Sequence, residues 1–195
     1  LSTKNKLRFN ELIYNELDNI LLNESNSILI GEDIENNNKF NPKEYGGAFK
    51  VTEGFVAKFG KDRVRNTPLC ESAIVGAGLG LSISGMKAMV EMQFADFVTC
   101  GFNQIINNLA KIHWRWGQQA DVVVRMPTGA GTAAGPFHSQ SNEAWFTHTP
   151  GLKVVYCSNP YNAKGLLTSA IESNDPVIFF EPKRCYRGPF YGDPH

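Results

Sequence analysis

Three stretches of this sequence place side chains where chemistry could use them. Glu32 follows directly on the apolar run SILIG, Gln93 and Phe97 stand in EMQFADF, and His138 follows the loop GAGTAAGPF. A carboxyl or an imidazole at such places can hold or pass a proton near neutral pH, and a phenyl face can stack on a flat aromatic ligand. Glu71 opens the small-residue run ESAIVGAGLGLSISG. By position alone it reads as a carboxylate at a helix N-terminus, favoured there by the helix dipole. Lone histidines are ordinarily structural hydrogen-bonders, and His113 and His148 are assigned that role. Phe97 has the matching alternative of plain core packing at a strand end.

Other chemistries fail on spacing. Cys70, Cys100, Cys157 and Cys185 form no C-x-x-C pair, and the four histidines have no H-x-x-x-H spacing, so structural zinc is rejected and no metal is assigned. Scattered cysteines of this kind are expected as buried free thiols in a cytoplasmic protein. Gly76-Ala77-Gly78-Leu79-Gly80 lacks the third glycine of a dinucleotide fingerprint, because Leu81 stands in its place, so close helix packing explains it better. The loop from Gly129 to Gly135 has no Lys-Ser/Thr ending and is no P-loop, and no G-x-S-x-G elbow surrounds any serine.

The elements that must position these residues follow from periodicity. Segment 6 to 22 is helical, SILI is a short strand, and the polar tract NNNKFNPKEYGG is a loop. A short helix is expected from Gly54 to Phe59, and a closely packed helix in the glycine-rich run after RVRNTP. Beyond it strands and helices alternate: KAMVEMQF, a helix through ADFVTCGFNQIINNLAKIHWRWG, DVVVRMP, a glycine-rich loop, a short helix near SQSNEAWF, LKVVYC, helix YNAKGLLTSAIES, and PVIFF. Apolar strands separated by helices require crossover connections, so the fold class is α/β, a doubly wound, mostly parallel sheet covered on both faces. Such sheets bind ligands beyond the carboxyl ends of their strands, which selects Glu32, Gln93 to Phe97, and Pro127 to His138.

Composition narrows the partners. The 195 residues carry 19 basic and 19 acidic side chains, and 42% are hydrophobic, so a single domain with a sizeable core is expected. Balanced charge gives no long-range pull towards phosphate backbones or anionic lipid, and neither nucleic acid nor membrane is an expected partner. No stretch approaches the roughly 20 apolar residues that span a bilayer, and the opening LSTKNKLRFNE has no apolar signal core.

The phrases GEDIE, GGAFKVTEGF, RVRNTPLCESAIVGAGLGLSISG, EMQFADFVTCGFNQIINNLAK, GPFHSQSNEAWFTHTPGLKVV and NAKGLLTSAIESNDPVIFFEPKRCYR occur in this order. Together they resemble the beta subunit of the thiamine diphosphate-dependent 2-oxo acid dehydrogenases, from about Arg8 to Arg187. NTPLCE, MQFADF and FFEPKRCYR are more similar to the branched-chain (2-oxoisovalerate) type than to the pyruvate type. The resemblance implies that residues 1–195 are the pyrimidine-binding domain, without the family's smaller carboxy-terminal domain. The family's diphosphate-binding G-D-G motif, which holds Mg2+, is not in this sequence. In the family it belongs to the alpha subunit or an amino-terminal half, so this chain is expected to supply half of an active site and to be inactive alone.

The resemblance also assigns roles. Glu71 matches the glutamate that hydrogen-bonds the N1′ nitrogen of the aminopyrimidine and favours the tautomer able to take the C2 proton. Gln93 and Phe97 match residues that touch the pyrimidine from the side and on its face. Glu32 matches an acidic residue near the cofactor, and His138 a histidine facing the thiazolium C2 and the incoming substrate or lipoyl group. The implied partners are the alpha-type subunit, a second beta-type subunit and a lipoyl-bearing acyltransferase. Acetoin and pyruvate dehydrogenase beta subunits remain alternatives, as does a non-catalytic assembly fragment. Some family members bind a monovalent cation through carbonyls in the segment matching Ala170, Ile171, Ser173 and Asp175; that segment carries no metal assignment here.

Overall fold

The computed structural model describes residues 7–35, 45–187 and 191–192. Six strands form one wholly parallel sheet: β2 (Ser27–Glu32), β3 (Val64–Thr67), β4 (Lys87–Glu91), β5 (Val122–Thr128), β6 (Lys153–Tyr156) and β7 (Val177–Pro182), in the order β3-β2-β4-β5-β7-β6. A separate two-stranded antiparallel ribbon pairs β1 (Leu7–Arg8) with β8 (Tyr191–Gly192). The expected doubly wound α/β class is what the chain adopts.

Strand alternation divides the core into two layers. Leu29, Met89, Val123, Val177 and Phe179 face one side, where helices α1 (Phe9–Asn23), α2 (Phe55–Phe59) and α7 (Pro160–Glu172) cover them. Ile28, Ile30, Val90, Val122, Val124, Ile178 and Phe180 face the other. There they meet α3 (Glu71–Ile83), α4 (Val98–Asn103), α5 (Ala110–Trp116) and α6 (Glu143–Thr147). Helix α1 buries the stripe Phe9, Leu12, Ile13, Leu17, Ile20 and Leu21, the helical spacing visible in the sequence. On α3, a Cβ at Gly78 would stand 2.6 Å from Val90 Cγ2. That helix therefore owes its closeness to the sheet to glycine, in keeping with the packing role expected of GAGLG.

Three local expectations need correction. RVRNTP, given no element of its own from periodicity, contains edge strand β3: it is four residues long and three of them are polar, because an edge strand buries little. The single long helix expected after EMQFADF is broken into a 3-10 turn (Ala95–Phe97), α4, a π-helical segment (Gln104–Leu109) and α5. Of the four cysteines, Cys157 alone is buried; Cys70 and Cys100 are exposed and Cys185 is half-buried. Most of the tract NNNKFNPKEYGG, residues 36–44, lies outside the described residues.

The chain leaves β2 towards β3 on one side and returns to β4 on the other, so the winding direction reverses between β2 and β4. The crevice beyond the carboxyl ends of these two strands is the switch point at which such sheets bind ligands.

Candidate functional site

Glu32 is the last residue of β2 and lies at that switch point. It is 3% exposed, and both carboxylate oxygens are buried without a hydrogen-bond partner among the described residues. Burial, the charge of Glu71 and the charge of Asp33, in that order, push its pKa up to about 7, with the Cys70 backbone opposing. Glu71 is the first residue of α3 and half-buried. The sequence separates the two glutamates by 39 positions; parallel pairing of β2 with β3, with Glu32 opposite Thr67, brings the start of α3 back beside Glu32. They form the acidic wall of the crevice.

Gln93 stands just past β4 and donates from Nε2 to Asp33 Oδ2 at 2.7 Å, tying the loops after β2 and β4 together. Close backbone contact supports the same junction, since a Cβ on Gly31 would lie 2.7 Å from the Glu91 carbonyl oxygen.

Phe97 closes the 3-10 turn that follows, and its ring meets Phe94 and His138 edge to face, at centroid distances of 5.6 and 5.5 Å. His138 also stands edge-on against Phe94 at 4.8 Å. Its Nδ1 is buried without a hydrogen-bond partner among the described residues. The glycine-rich loop earns its composition here: Gly129, Gly131 and Gly135 take φ of 81, 127 and 78°, in a region that favours glycine. These turns return the chain so that Gly129 N–H donates to the Gln140 carbonyl at 2.9 Å and His138 lands over the loop after β4.

The five predicted residues thus fall into two groups. Glu32 and Glu71 form one, Phe97 and His138 the other, and Gln93 sits on the loop that joins them. Each group has a buried polar atom with no partner among the described residues, which is unusual in a folded interior and suits a polar ligand.

A third group was missed. Arg125, on β5, donates from Nε and Nη2 to the two oxygens of Glu181 at 2.7 and 3.0 Å, and from Nη1 to Glu91 Oε2 at 2.9 Å. Tyr186 donates its hydroxyl to Glu181 Oε2. All four residues are buried. Burial raises the Glu91 pKa, the charge of Glu181 adds to the rise, and Arg125 offsets it only in part. The signal was one arginine inside the apolar run VVVRMP, which a buried strand admits only when the charge is matched. Among the described residues, no group of three or more His, Cys, Asp or Glu side chains is placed to hold a metal ion. None of the described helices is long and apolar enough to cross a membrane.

A doubly wound sheet with an acid-walled crevice at its switch point defines a ligand-binding α/β domain. The chain belongs to the transketolase pyrimidine-binding domain family, whose model matches residues 5–189. It is 44% identical over 187 residues to the mitochondrial 2-oxoisovalerate dehydrogenase subunit beta of Dictyostelium discoideum, covering 94% of this chain and 48% of that protein. It is 47% identical to the Bacillus subtilis 2-oxoisovalerate dehydrogenase subunit beta, over 84% of this chain and 48% of that one. A pyruvate dehydrogenase E1 component subunit beta from Gracilaria tenuistipitata is 43% identical over 87% of this chain and 50% of its own length. The chain spans about half the length of these curated relatives. A solved split-gene transketolase, an inactive β4 tetramer, shares the fold at a TM-score of 0.67 and 16% identity, over 96% of this chain and 52% of that one.

Proposed function

We propose that this chain is the pyrimidine-binding half of a thiamine diphosphate-dependent 2-oxo acid dehydrogenase of the branched-chain type. The observation that carries the reading is Glu32, a buried carboxyl whose two oxygens have no hydrogen-bond partner among the described residues, held beside Glu71 at the switch point of the sheet. When bound, thiamine diphosphate supplies the electron sink for cleaving the bond beside the carbonyl of a 2-oxo acid.

The chain's own residues have four tasks. Glu71 holds a hydrogen bond at N1′ of the aminopyrimidine, the contact that selects the tautomer able to accept a proton. Glu32, with its pKa near 7, stores or releases a proton next to Glu71 without accumulating two adjacent charges. Phe97 presents an apolar face to the ring and Gln93 fixes the loop that carries it. His138, whose Nδ1 has no partner among the described residues, donates a proton to the lipoyl sulfur that leaves as the disulfide bond breaks and the acyl–sulfur bond forms.

The complementary residues for the diphosphate and Mg2+ come from an alpha-type subunit or an amino-terminal half, because the 195 residues contain no G-D-G motif. The other proposed partners are a second beta-type chain, a lipoyl-bearing acyltransferase, and the carboxy-terminal domain that accompanies this one in the family. A cytoplasmic setting fits the four free thiols.

The test is to combine the complete beta chain with its alpha partner and measure kcat/KM on 2-oxoisovalerate and on pyruvate. A preference for the branched substrate is expected, with no turnover by the 195-residue chain alone. A preference for pyruvate would favour the second reading, which the 43% identity to a pyruvate dehydrogenase beta subunit supports. Turnover by the isolated chain would refute the half-site.

A further inference from the structure

The segment carrying His138 is held by a buried ion pair that the proposed reaction does not use. Lys183, the first residue of α8 (Lys183–Arg187), directly follows β7. Its Nζ donates to the His138 carbonyl oxygen at 2.5 Å and stands 3.6 Å from Asp96 Oδ2. Both side chains are almost wholly buried, at 0% and 1% exposure. Asp96 Oδ1 in turn accepts the Gln140 backbone N–H at 2.9 Å. The ammonium and the carboxylate therefore grip the same three residues, one from the carbonyl of 138 and the other from the amide of 140.

The grip extends to the ring. Lys183 Nζ also lies 5.0 Å from the centroid of Phe94, the ring that meets His138 edge to face at 4.8 Å. Asn142, buried two residues further on, donates from Nδ2 to the Ala95 carbonyl at 2.8 Å and fixes the same loop pair. Burying an ammonium is costly, and the desolvation pulls the Lys183 pKa down although Asp96 opposes it. A hydrophobic residue would fill that space at less cost, so the charge is better explained by what it orients than by stability.

We propose that Lys183 and Asp96 are positioning residues for His138, fixing its backbone and, through Phe94, the plane of its imidazole. The proposal rests on the role given to His138 above. Arg125 extends the same device: it grips Glu181, two residues before Lys183, and Glu91, five residues before Asp96, so the ends of β4, β5 and β7 are cross-linked beneath the clamp.

The experiment uses the complete assembled enzyme and compares Lys183→Met, the charge-free pair Lys183→Met/Asp96→Asn, His138→Ala, and the triple variant. The pair variant guards against a lone buried carboxylate preventing folding. Three quantities are read: acyl transfer to the lipoyl group, KM for the 2-oxo acid, and backbone amide exchange across residues 138–140. The expected result for the pair variant is a loss on the order of 10- to 100-fold in transfer rate, the scale of a misplaced catalytic group, with KM unchanged. Amide exchange at 138–140 should accelerate, and in the His138→Ala background the pair should cost less than about twofold more. A full additional loss in that background, an unchanged transfer rate against an impaired His138→Ala, or unchanged exchange would each overturn the clamp. If His138→Ala leaves transfer at the wild-type rate, the catalytic reading of His138 fails by itself, and exchange at 138–140 decides whether the clamp holds the segment.

Discussion

Glu32 and Glu71 stand close enough for the charge of one to raise the pKa of the other, although they end a strand and begin a helix 39 positions apart. With a folded-state pKa near 7 against an ordinary value of 4.5, Glu32 is neutral in the folded chain where the unfolded chain would ionise it. Below about pH 4.5 it is neutral in both states and costs nothing. Between about pH 4.5 and 7 the unfolded chain ionises this group while the folded chain keeps it protonated, so stability falls across that window and levels off above 7. Glu32→Gln should melt with the wild type near pH 4.5 and at a higher temperature at pH 8. Parallel melting curves across that range would show that Glu32 is not held neutral by the fold.

Arg125 sits between two buried carboxylates, so removing it strands both charges. Arg125→Met should destabilise the chain by about 3–5 kcal/mol, read from the midpoint of a denaturant titration. A loss below about 1 kcal/mol would mean that Glu91 and Glu181 are protonated in the folded protein and need no counter-ion.

Gly78 and Gly80 test whether GAGLG is a packing motif. A Cβ at Gly78 would stand 2.6 Å from Val90 Cγ2, whereas one at Gly80 would meet nothing within 4 Å. Gly78→Ala should cost about 1–3 kcal/mol through overpacking, and Gly80→Ala should gain up to about 1 kcal/mol through helix propensity. Equal effects in the two thermal melts would contradict the close helix-sheet contact.

The strands that bury both faces were legible because SILI, VVVRMP and VIFF are apolar enough to admit no other reading. Their alternation with helical periods sufficed for a doubly wound sheet. Edge strand β3 was not legible, since VRNT buries only Val64 fully and looks like a connection. Neither was the π-helical segment at Gln104–Leu109, whose residues are as compatible with an ordinary helix. Within the site, the switch-point rule selected Glu32, Gln93, Phe97 and His138 from their places after strands. It could not select Glu71, whose position alone suits any surface helix; the family resemblance supplied that residue. Asp96 lay inside the selected Gln93–Phe97 stretch without a role of its own, and Lys183 was not legible at all, for a different reason. Their meaning lies in a contact between residues 87 positions apart, made by β7 and β4 through the strand between them.

His138 serves one half of the proposed reaction more than the other. A departing lipoyl sulfur needs a proton donor, whereas decarboxylation relies mainly on the cofactor's electron sink and a dry pocket. His138→Ala in the complete enzyme should therefore impair acyl transfer to lipoyl on the order of 10²-fold, and decarboxylation measured with an artificial electron acceptor much less. Equal losses would mean that His138 positions the substrate for both halves.

The proton at thiamine C2 reports directly on whether this chain supplies the pyrimidine half of the active site. In the complete enzyme, exchange of that proton with solvent deuterium should slow on the order of 10²- to 10⁴-fold in Glu71→Gln, the scale of lost acid-base assistance. The glutamine keeps the size of the side chain, so the melting temperature should stay near wild type. Exchange at the wild-type rate in a folded, cofactor-loaded Glu71→Gln enzyme would contradict the placement of the pyrimidine against Glu71, and with it the half-site proposed here.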